Sequence, residues 1–524
     1  MSSEVRDERR ELRGHFIRSL YDNLESVVSP TPYLEITEGS TVDVRFLDGK
    51  ARLPAPGSTE VTVLDMDIAS LFFDDFHLLF EGETGVGKTY TSDALFGAVF
   101  GPKGHQTLRL SGGVLGSSAL EPFTRTALEG GVPKTRIDRD KCTQYGGLFI
   151  DEINRGDPQE VFQVVDGKIH INGDTGRLGI PIPGTNRYKG LVVIAAMNPA
   201  DAQHSSALDL DIAGENRFLK FKFPNGVAEA ASSQLEKKVA GDLHEKLWED
   251  FRQKSGRSGG WRENYPVVTD SEQFANALDG QTREFIDVTL GYVGHDPKET
   301  VARNGELIRQ AGFDPQFAIR DDNEYKKIRT AQGNLKHGFV RRDLKKIEDL
   351  SKLLGFVKGV KAGSYDAQVN LNDVVASVGI VLEGKTITGT NYGGLMAVVN
   401  DARAAYLDIR QEMNIPNGFG IRDGILEAAI NAGEERGMDA YMNTIRQGVA
   451  ALNKVSTKPS QTTLRSRLAA DLAVLEHFSR ANEDGIKDAL KQGGDKTYEA
   501  FGKLYQAKKS TASIYEHRLG SIIR

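Results

Sequence analysis

"LLFEGETGVGKTYTSDALFG", residues 78–97, decides how the rest of the chain is read. Within it Gly82-Glu83-Thr84-Gly85-Val86-Gly87-Lys88-Thr89 fits G-x-x-x-x-G-K-[ST] at every fixed position. Glycines at this spacing let the backbone turn with its N–H groups inward, forming a nest for an anion. A helix starting near Lys88 adds the positive end of its dipole. Lys88 then reaches the β- and γ-phosphates of a nucleotide, and the Thr89 hydroxyl coordinates Mg²⁺. Apolar "HLLF" before the loop supplies the strand, and "YTSDALFGAVF" after it supplies the helix.

Three further segments take their meaning from that loop. From about residue 76 to 224 short apolar runs alternate with helical patterns, which predicts a parallel α/β sheet. "YGGLFIDEINR" ends a buried strand in Asp151-Glu152. Taken alone, such a pair also ends many strands in solvent. Downstream of a phosphate loop, Asp151 is placed to hold the Mg²⁺ and Glu152 to orient and deprotonate an attacking water. "GLVVIAAMNPAD" ends another buried strand at Asn198, whose amide would hold that water; the alternative is a turn-forming Asn before Pro199. In "LDIAGENRFLKFKFP", Arg217 precedes an apolar strand and is a candidate arginine finger serving a neighbouring subunit. The alternative is an ordinary surface arginine.

Composition narrows the class. A chain of 524 residues exceeds a single core, with a length prior of roughly three domains. Hydrophobic content of 39% and charged content of 27% are those of a soluble globular protein. No run approaches the length of a membrane span, and "MSSEVRDERRELRG" lacks the apolar core of a secretory signal, so a cytoplasmic location is expected. One cysteine, Cys142, excludes an intramolecular disulfide or a cysteine-based metal cluster. The net charge of −7 offers no global basic field for nucleic acid, although a local basic surface escapes such a sum.

Residues 3–28 predict an amphipathic helix through Leu12, Phe16, Leu20 and Leu24. "TVDVRFLDGKARL" and "STEVTVLDMDI" predict strands around "PAPGS". Residues 226–258 read as charged and helical, and 268–338 mix helical pieces with loops without an assignable signal. Two helices are expected in 339–382, and a largely helical remainder breaks near "NIPNGFG", "STKPSQ" and "KQGGDK".

A GKT loop, a strand ending in DE, a strand ending in Asn and an Arg-Phe before the last strand, in that order, resemble an AAA+ ATPase. "DEINR", "DPQEVFQVVDGKIHINGDTGRLGIPIPG" and "LVVIAAMNP" resemble the MoxR-like group, with its CbbQ/NorQ and gas-vesicle GvpN relatives. The resemblance implies ATP with Mg²⁺: Lys88 and Thr89 as Walker A ligands, Asp151 and Glu152 as the Walker B pair, Asn198 as sensor 1 and Arg217 as the finger. It also implies a hairpin at 168–183 around a Gly-Asp turn and an insert near 111–123. "FVRRDLKKIEDLSKLLGF" is similar to the lid pattern and makes Arg342, or else Arg341, the sensor 2 arginine. The implied division is 1–60 as N-terminal helix and strands, 61–225 as the AAA+ P-loop core, 226–385 as a helical lid with insertion, and 386–524 as a helical C-terminal domain. More than a hundred residues between finger and lid depart from the group's usual spacing.

The resemblance implies a ring, expected to be a hexamer, that remodels a protein client, with a von Willebrand factor A-type adaptor as a further expected partner. Two other readings stay open at this point. McrB-type nucleic-acid motors carry similar "DEINR" strands and use GTP, and nothing in the GKT loop selects adenine over guanine. A ring that uses nucleotide only as a structural element is the other.

Overall fold

The structure, a computed structural model, describes residues 3–25, 49–54, 61–66, 76–82, 84, 88–110, 118–182, 188–198, 210, 212–222, 237–268, 278–320, 322–335, 340–363, 369–386 and 392–508. The chain opens with helix α1 (Ser3–Glu25) and a hairpin of β1 (Gly49–Pro54) and β2 (Val61–Met66), paired antiparallel from Gly49↔Met66 to Pro54↔Val61. Strand β3 (His77–Glu81) leads to helix α2 (Lys88–Phe100), and β4 (His105–Arg109) follows. A hairpin of β5 (Thr124–Glu129) and β6 (Val132–Ile137) precedes β7 (Gly147–Asp151) and helix α3 (Pro158–Val165). Next come the short strands β8 (Lys168–Ile171), β9 (Asp174–Arg177), β10 (Ile180–Pro181) and β11 (Tyr188–Lys189). Then come the sheet strands β12 (Val192–Met197) and β13 (Phe218–Lys222).

Strands β13, β3, β12, β7 and β4 form one five-stranded sheet in that order, with every neighbour parallel. Alternation divides its side chains between two cores. Leu78, Phe80, Phe149 and Ile194 face Phe96, Phe100 and Trp248. Leu79, Leu148, Ile150, Val193 and Ala195 face Val161, Val164 and Ile169. A sheet buried on both faces explains why these strands read as continuous apolar runs.

The remainder is helical: α4 (Lys237–Ser255), α5 (Trp261–Val268), α6 (Gly280–Gly294), α7 (Pro297–Gln310), α8 (Asp322–Gly333), α9 (Arg341–Lys361) and α10 (Leu371–Lys385). After these come α11 (Tyr392–Glu412), α12 (Ile421–Arg436), α13 (Met438–Leu452), α14 (Pro459–Ala481), α15 (Glu483–Leu490) and α16 (Asp495–Lys508). The α/β P-loop core with a parallel sheet and helical additions is the fold the sequence predicts. Helix α1 buries Leu12, Phe16 and Leu20, and the Phe16 ring lies 5.1 Å from that of Trp248 in α4. The Leu24 side chain lies outside the described residues. Breaks at 413–420, 453–458 and 491–494 fall where the Gly- and Pro-rich segments predict them. The segment 268–338, read from sequence only as helical pieces among loops, contributes α6, α7 and α8. Asp279 and Asp296 cap the first two, accepting from Thr282 N at 2.7 Å and Lys298 N at 2.8 Å.

Two local expectations are corrected. The hairpin of β8 and β9 closes at Asn172-Gly173, not Gly-Asp, because both turn residues adopt positive φ, 49° and 83°. It also ends at Arg177: Ile180-Pro181 pairs instead with Tyr188-Lys189. Of the expected insert, 111–117 lie outside the described residues and Glu121–Phe123 form a single 3₁₀ turn. The β5–β6 hairpin that follows was not foreseen.

Candidate active site

The carboxyl ends of β3, β12 and β7 lie side by side, and register fixes which residues emerge there. Met197 pairs with Glu81, Ala195 with Ile150, and Arg109 with Asp151. Gly82 N donates to Met197 O at 3.2 Å, tying the start of the loop to the neighbouring strand. In parallel α/β sheets such a row of strand ends is where ligands sit. Among the loop residues, Glu83, Gly85, Val86 and Gly87 lie outside the described set, while Thr84 and Thr89 are exposed.

Lys88 opens α2 and is buried. Its ammonium donates to Gly82 O at 2.6 Å and to Asn198 Oδ1 at 3.2 Å. The lysine of the phosphate loop and the asparagine of β12, 110 residues apart in sequence, therefore meet. Asn154 backs this contact, its Nδ2 donating to Asn198 O at 3.3 Å.

Asp151 and Glu152 stand beside them with different surroundings. Burial pushes the Asp151 carboxyl above the ordinary aspartate range; Glu152 adds to that, while Arg109 and Lys88 oppose it. Glu152 is held in the left-handed region, φ 58° and ψ 44°, at the head of a 3₁₀ turn. For a non-glycine residue that conformation costs on the order of 1–3 kcal/mol. Two guanidiniums grip its carboxylate: Arg109 Nη2 at 3.4 Å from β4 and Arg155 Nη1 at 3.3 Å from the same turn. The hydrogen bond to Glu152 in turn raises the Arg109 pKa. At the end of β3, Glu81 forms a buried ion pair with Lys220 at 2.5 Å, and Glu215 joins at 3.3 Å. Burial alone would lower the Lys220 pKa, but the two carboxylates outweigh it and hold it above the ordinary lysine value.

Arg217 is not brought to this cluster in its own chain. It pairs with Asp166 through Nε at 3.0 Å and Nη2 at 3.1 Å, and its guanidinium lies 4.3 Å from the centre of the Phe162 ring. Arg342 is exposed at the start of α9, and the Arg341 side chain lies outside the described residues. Among the described residues no hydrogen bond or ion pair joins Arg342 to Lys88, Asp151, Glu152 or Asn198.

The start of α9 is nevertheless anchored to the segment carrying Arg217. Asp343 and Lys385 form a buried pair at 2.8 Å, and the same ammonium donates to Asn216 Oδ1 at 3.1 Å. Lys346 Nζ donates to Phe218 O at 2.7 Å. Burial lowers the Lys346 pKa to about 8, with Lys385 and Arg342 acting in the same direction and Asp343 opposing.

The donor set fits a magnesium-bound nucleoside triphosphate: a buried ammonium at a helix N-terminus, oxygen donors at Asp151 and Thr89, and a carboxylate next to an amide. Among the described residues there is no cluster of three or more His, Cys, Asp or Glu suited to a metal held by protein alone. Arg109, Arg155, Asn154 and Asp166 escaped the sequence reading. Arg155 sits inside the quoted "DEINR", but Arg109 and Asp166 reach their partners only through the tertiary fold.

No protein-family profile matches the chain, and no curated protein matches it in sequence. Among solved structures it is similar to a Cytophaga hutchinsonii protein provisionally described as an ATPase. That likeness has 14% identity and a TM-score of 0.39, and covers 75% of this chain and 96% of that one. It is also similar to a full-length MCM homolog from Methanopyrus kandleri, at 14% identity and a TM-score of 0.31, covering 61% of this chain and 55% of that one. The fold assignment stands on the strand order and the phosphate loop rather than on these distant likenesses. No described helix is long and apolar enough to cross a membrane.

Proposed function

We propose that this chain is an AAA+ ATPase of the MoxR-like kind, assembling as a ring that spends ATP to remodel a protein client. The observation that carries the reading is the contact of Lys88 with Asn198 beside Asp151 and Glu152. It gathers, from three adjacent strand ends, the residue types that triphosphate hydrolysis needs. In this proposal Lys88 and the backbone of 82–89 hold the phosphates, and Thr89 and Asp151 hold Mg²⁺. When bound, that ion would offset charge on the phosphate oxygens. Asn198 orients the attacking water, and Glu152 takes its proton.

Arg217 and Arg342 complete the assignment as finger and sensor 2, with the finger acting in a neighbouring copy. Released from Asp166, it would offset transition-state charge there. The division at residues 60, 225 and 385, the hexameric count and the von Willebrand factor A-type adaptor belong to the same proposal, supported by the sequence resemblance alone.

The test is turnover of ATP, with GTP alongside, by wild type and Glu152→Gln. Wild type should hydrolyse ATP, while Glu152→Gln should retain ATP binding and lose hydrolysis by ~10²-fold or more. Equal turnover in the two proteins would remove Glu152 from its role. Preference for GTP would favour the nucleic-acid motor instead.

A further inference from the structure

Within the helical region lies a cavity of about 430 Å³, lined by residues at the start of α6, by Gly418 and Phe419, and by α12 and α16. Its volume is that of a small-ligand site, roughly 300–1,000 Å³. Two of its buried lining residues already satisfy each other. Glu284 accepts from Ile421 N and, at 2.8 Å, from Arg422 N, so the opening N–H groups of α12 are capped. The Arg422 side chain answers the same carboxylate at 2.9 Å.

Two further acids line the cavity and are not satisfied. Asp423 and Glu427 stand four residues apart on one face of α12, both half-buried. Among the described residues neither carboxylate takes part in a hydrogen bond or ion pair. The helix dipole favours an acid in the first turn, at Asp423, but not a second one set against it a turn later. Burial raises the Asp423 pKa, with Arg422 and Arg283 opposing. Arg283 is exposed and donates through Nη2 to Leu278 O at 3.1 Å. Three acids against two arginines leave the lining with one uncompensated negative charge.

The remaining walls suit the stem of a cation. Phe419 is 38% and Tyr498 39% exposed, and both border the cavity, with Phe501 buried behind them. Aromatic faces attract a cation and pack its hydrocarbon chain alike.

We infer that this cavity binds an alkylammonium group, the end of a lysine side chain or a free aliphatic amine, with Asp423 and Glu427 taking the charge and Phe419 and Tyr498 flanking the stem. A cation there supplies the counter-charge that half-buried Asp423 lacks. The cavity shares no residue with the proposed hydrolytic site, so binding is testable whether or not the chain hydrolyses ATP.

The test is calorimetric titration of the full chain with a Gly-Gly-Lys-Gly-Gly peptide blocked at both ends, and separately with pentylamine. At least one should saturate and weaken as salt rises, and the tighter of the two tells whether the amine is borne by a protein or free. The same peptide with Glu in place of Lys should not bind. Asp423→Asn/Glu427→Gln should weaken amine binding roughly tenfold or more, and Tyr498→Ala about two- to fivefold. Both variants should melt close to wild type, which separates lost binding from lost folding.

No saturable binding of either amine, equal binding of the Glu peptide, or undiminished amine affinity in the double variant would overturn the inference. Should the double variant melt early, Tyr498→Ala decides alone, and unchanged affinity in it counts against the cavity.

Discussion

Arg217 and Asp166 form a two-point ion pair, at 3.0 and 3.1 Å, with the guanidinium stacked on Phe162. An arginine that acts on a neighbouring copy must leave this clasp to do so. Half-exposed Asp166 makes the pair worth about 1 kcal/mol or less. Asp166→Ala is therefore expected to raise ATP turnover by no more than about fivefold, whereas Arg217→Ala should reduce it by ~10³-fold or more. Titrating Arg217→Ala into wild type checks whether the arginine works across copies: loss steeper than the mixing ratio is expected, and strictly proportional loss counts against it.

Arg109 opposes the burial that raises the Asp151 pKa. Removing it should raise that pKa further. In the proposed role only ionised Asp151 would hold Mg²⁺, so Arg109→Ala should move the acid limb of the turnover profile to higher pH. Turnover measured from pH 5 to 8 at saturating magnesium would show the displacement; superimposable limbs would sink it.

Lys346 supplies a stability signature. Its native pKa of about 8 lies below the ordinary lysine value of 10.5, so between those limits the unfolded chain holds a proton that the native chain lacks. Stability from this group is full above 10.5 and is lost as pH falls through 8. The melting temperature of wild type relative to Lys346→Met should thus rise from pH 8 to pH 10. A constant difference would show that the lysine is not buried as described.

Helix α12 begins against a buried carboxylate. Glu284 accepts from Arg422 N at 2.8 Å and Nε at 2.9 Å, while Arg422 Nη1 reaches Asp471 at 2.9 Å. Arg422→Met would leave buried Glu284 without its guanidinium and Asp471 to Arg467, at a cost of about 3–5 kcal/mol. Chemical denaturation should show it as an earlier midpoint. A further change of Glu284 to Gln should recover part of the loss.

How much of this was legible differs by element. The phosphate loop, the strands ending at Asp151 and Asn198, and Leu12, Phe16 and Leu20 of α1 were readable because local spacing alone defines them. The turn of β8–β9 was misplaced by one residue, since Asn-Gly and Gly-Asp overlap in "NGD" and only φ at Asn172 and Gly173 separates them. Helices α6 to α8 were legible only as unbounded helical pieces although Asp279 and Asp296 stand at cap positions, because the segment's apolar pattern is weak against its polar surroundings. The grip of Arg109 on Glu152 and of Asp166 on Arg217 spans 43 and 51 residues, and no one-dimensional pattern encodes it.

Three consecutive residues, 216 to 218, are grasped from three directions. Lys385 holds the side chain of Asn216, Asp166 holds Arg217, and Lys346 holds the carbonyl of Phe218. The strand that follows is the edge of the sheet, and residue 166 lies two positions before the second hairpin. This tripeptide is thus a junction box, where displacement of any one wire tugs on the sheet margin, the helix headed by Arg341 and the root of the hairpin together.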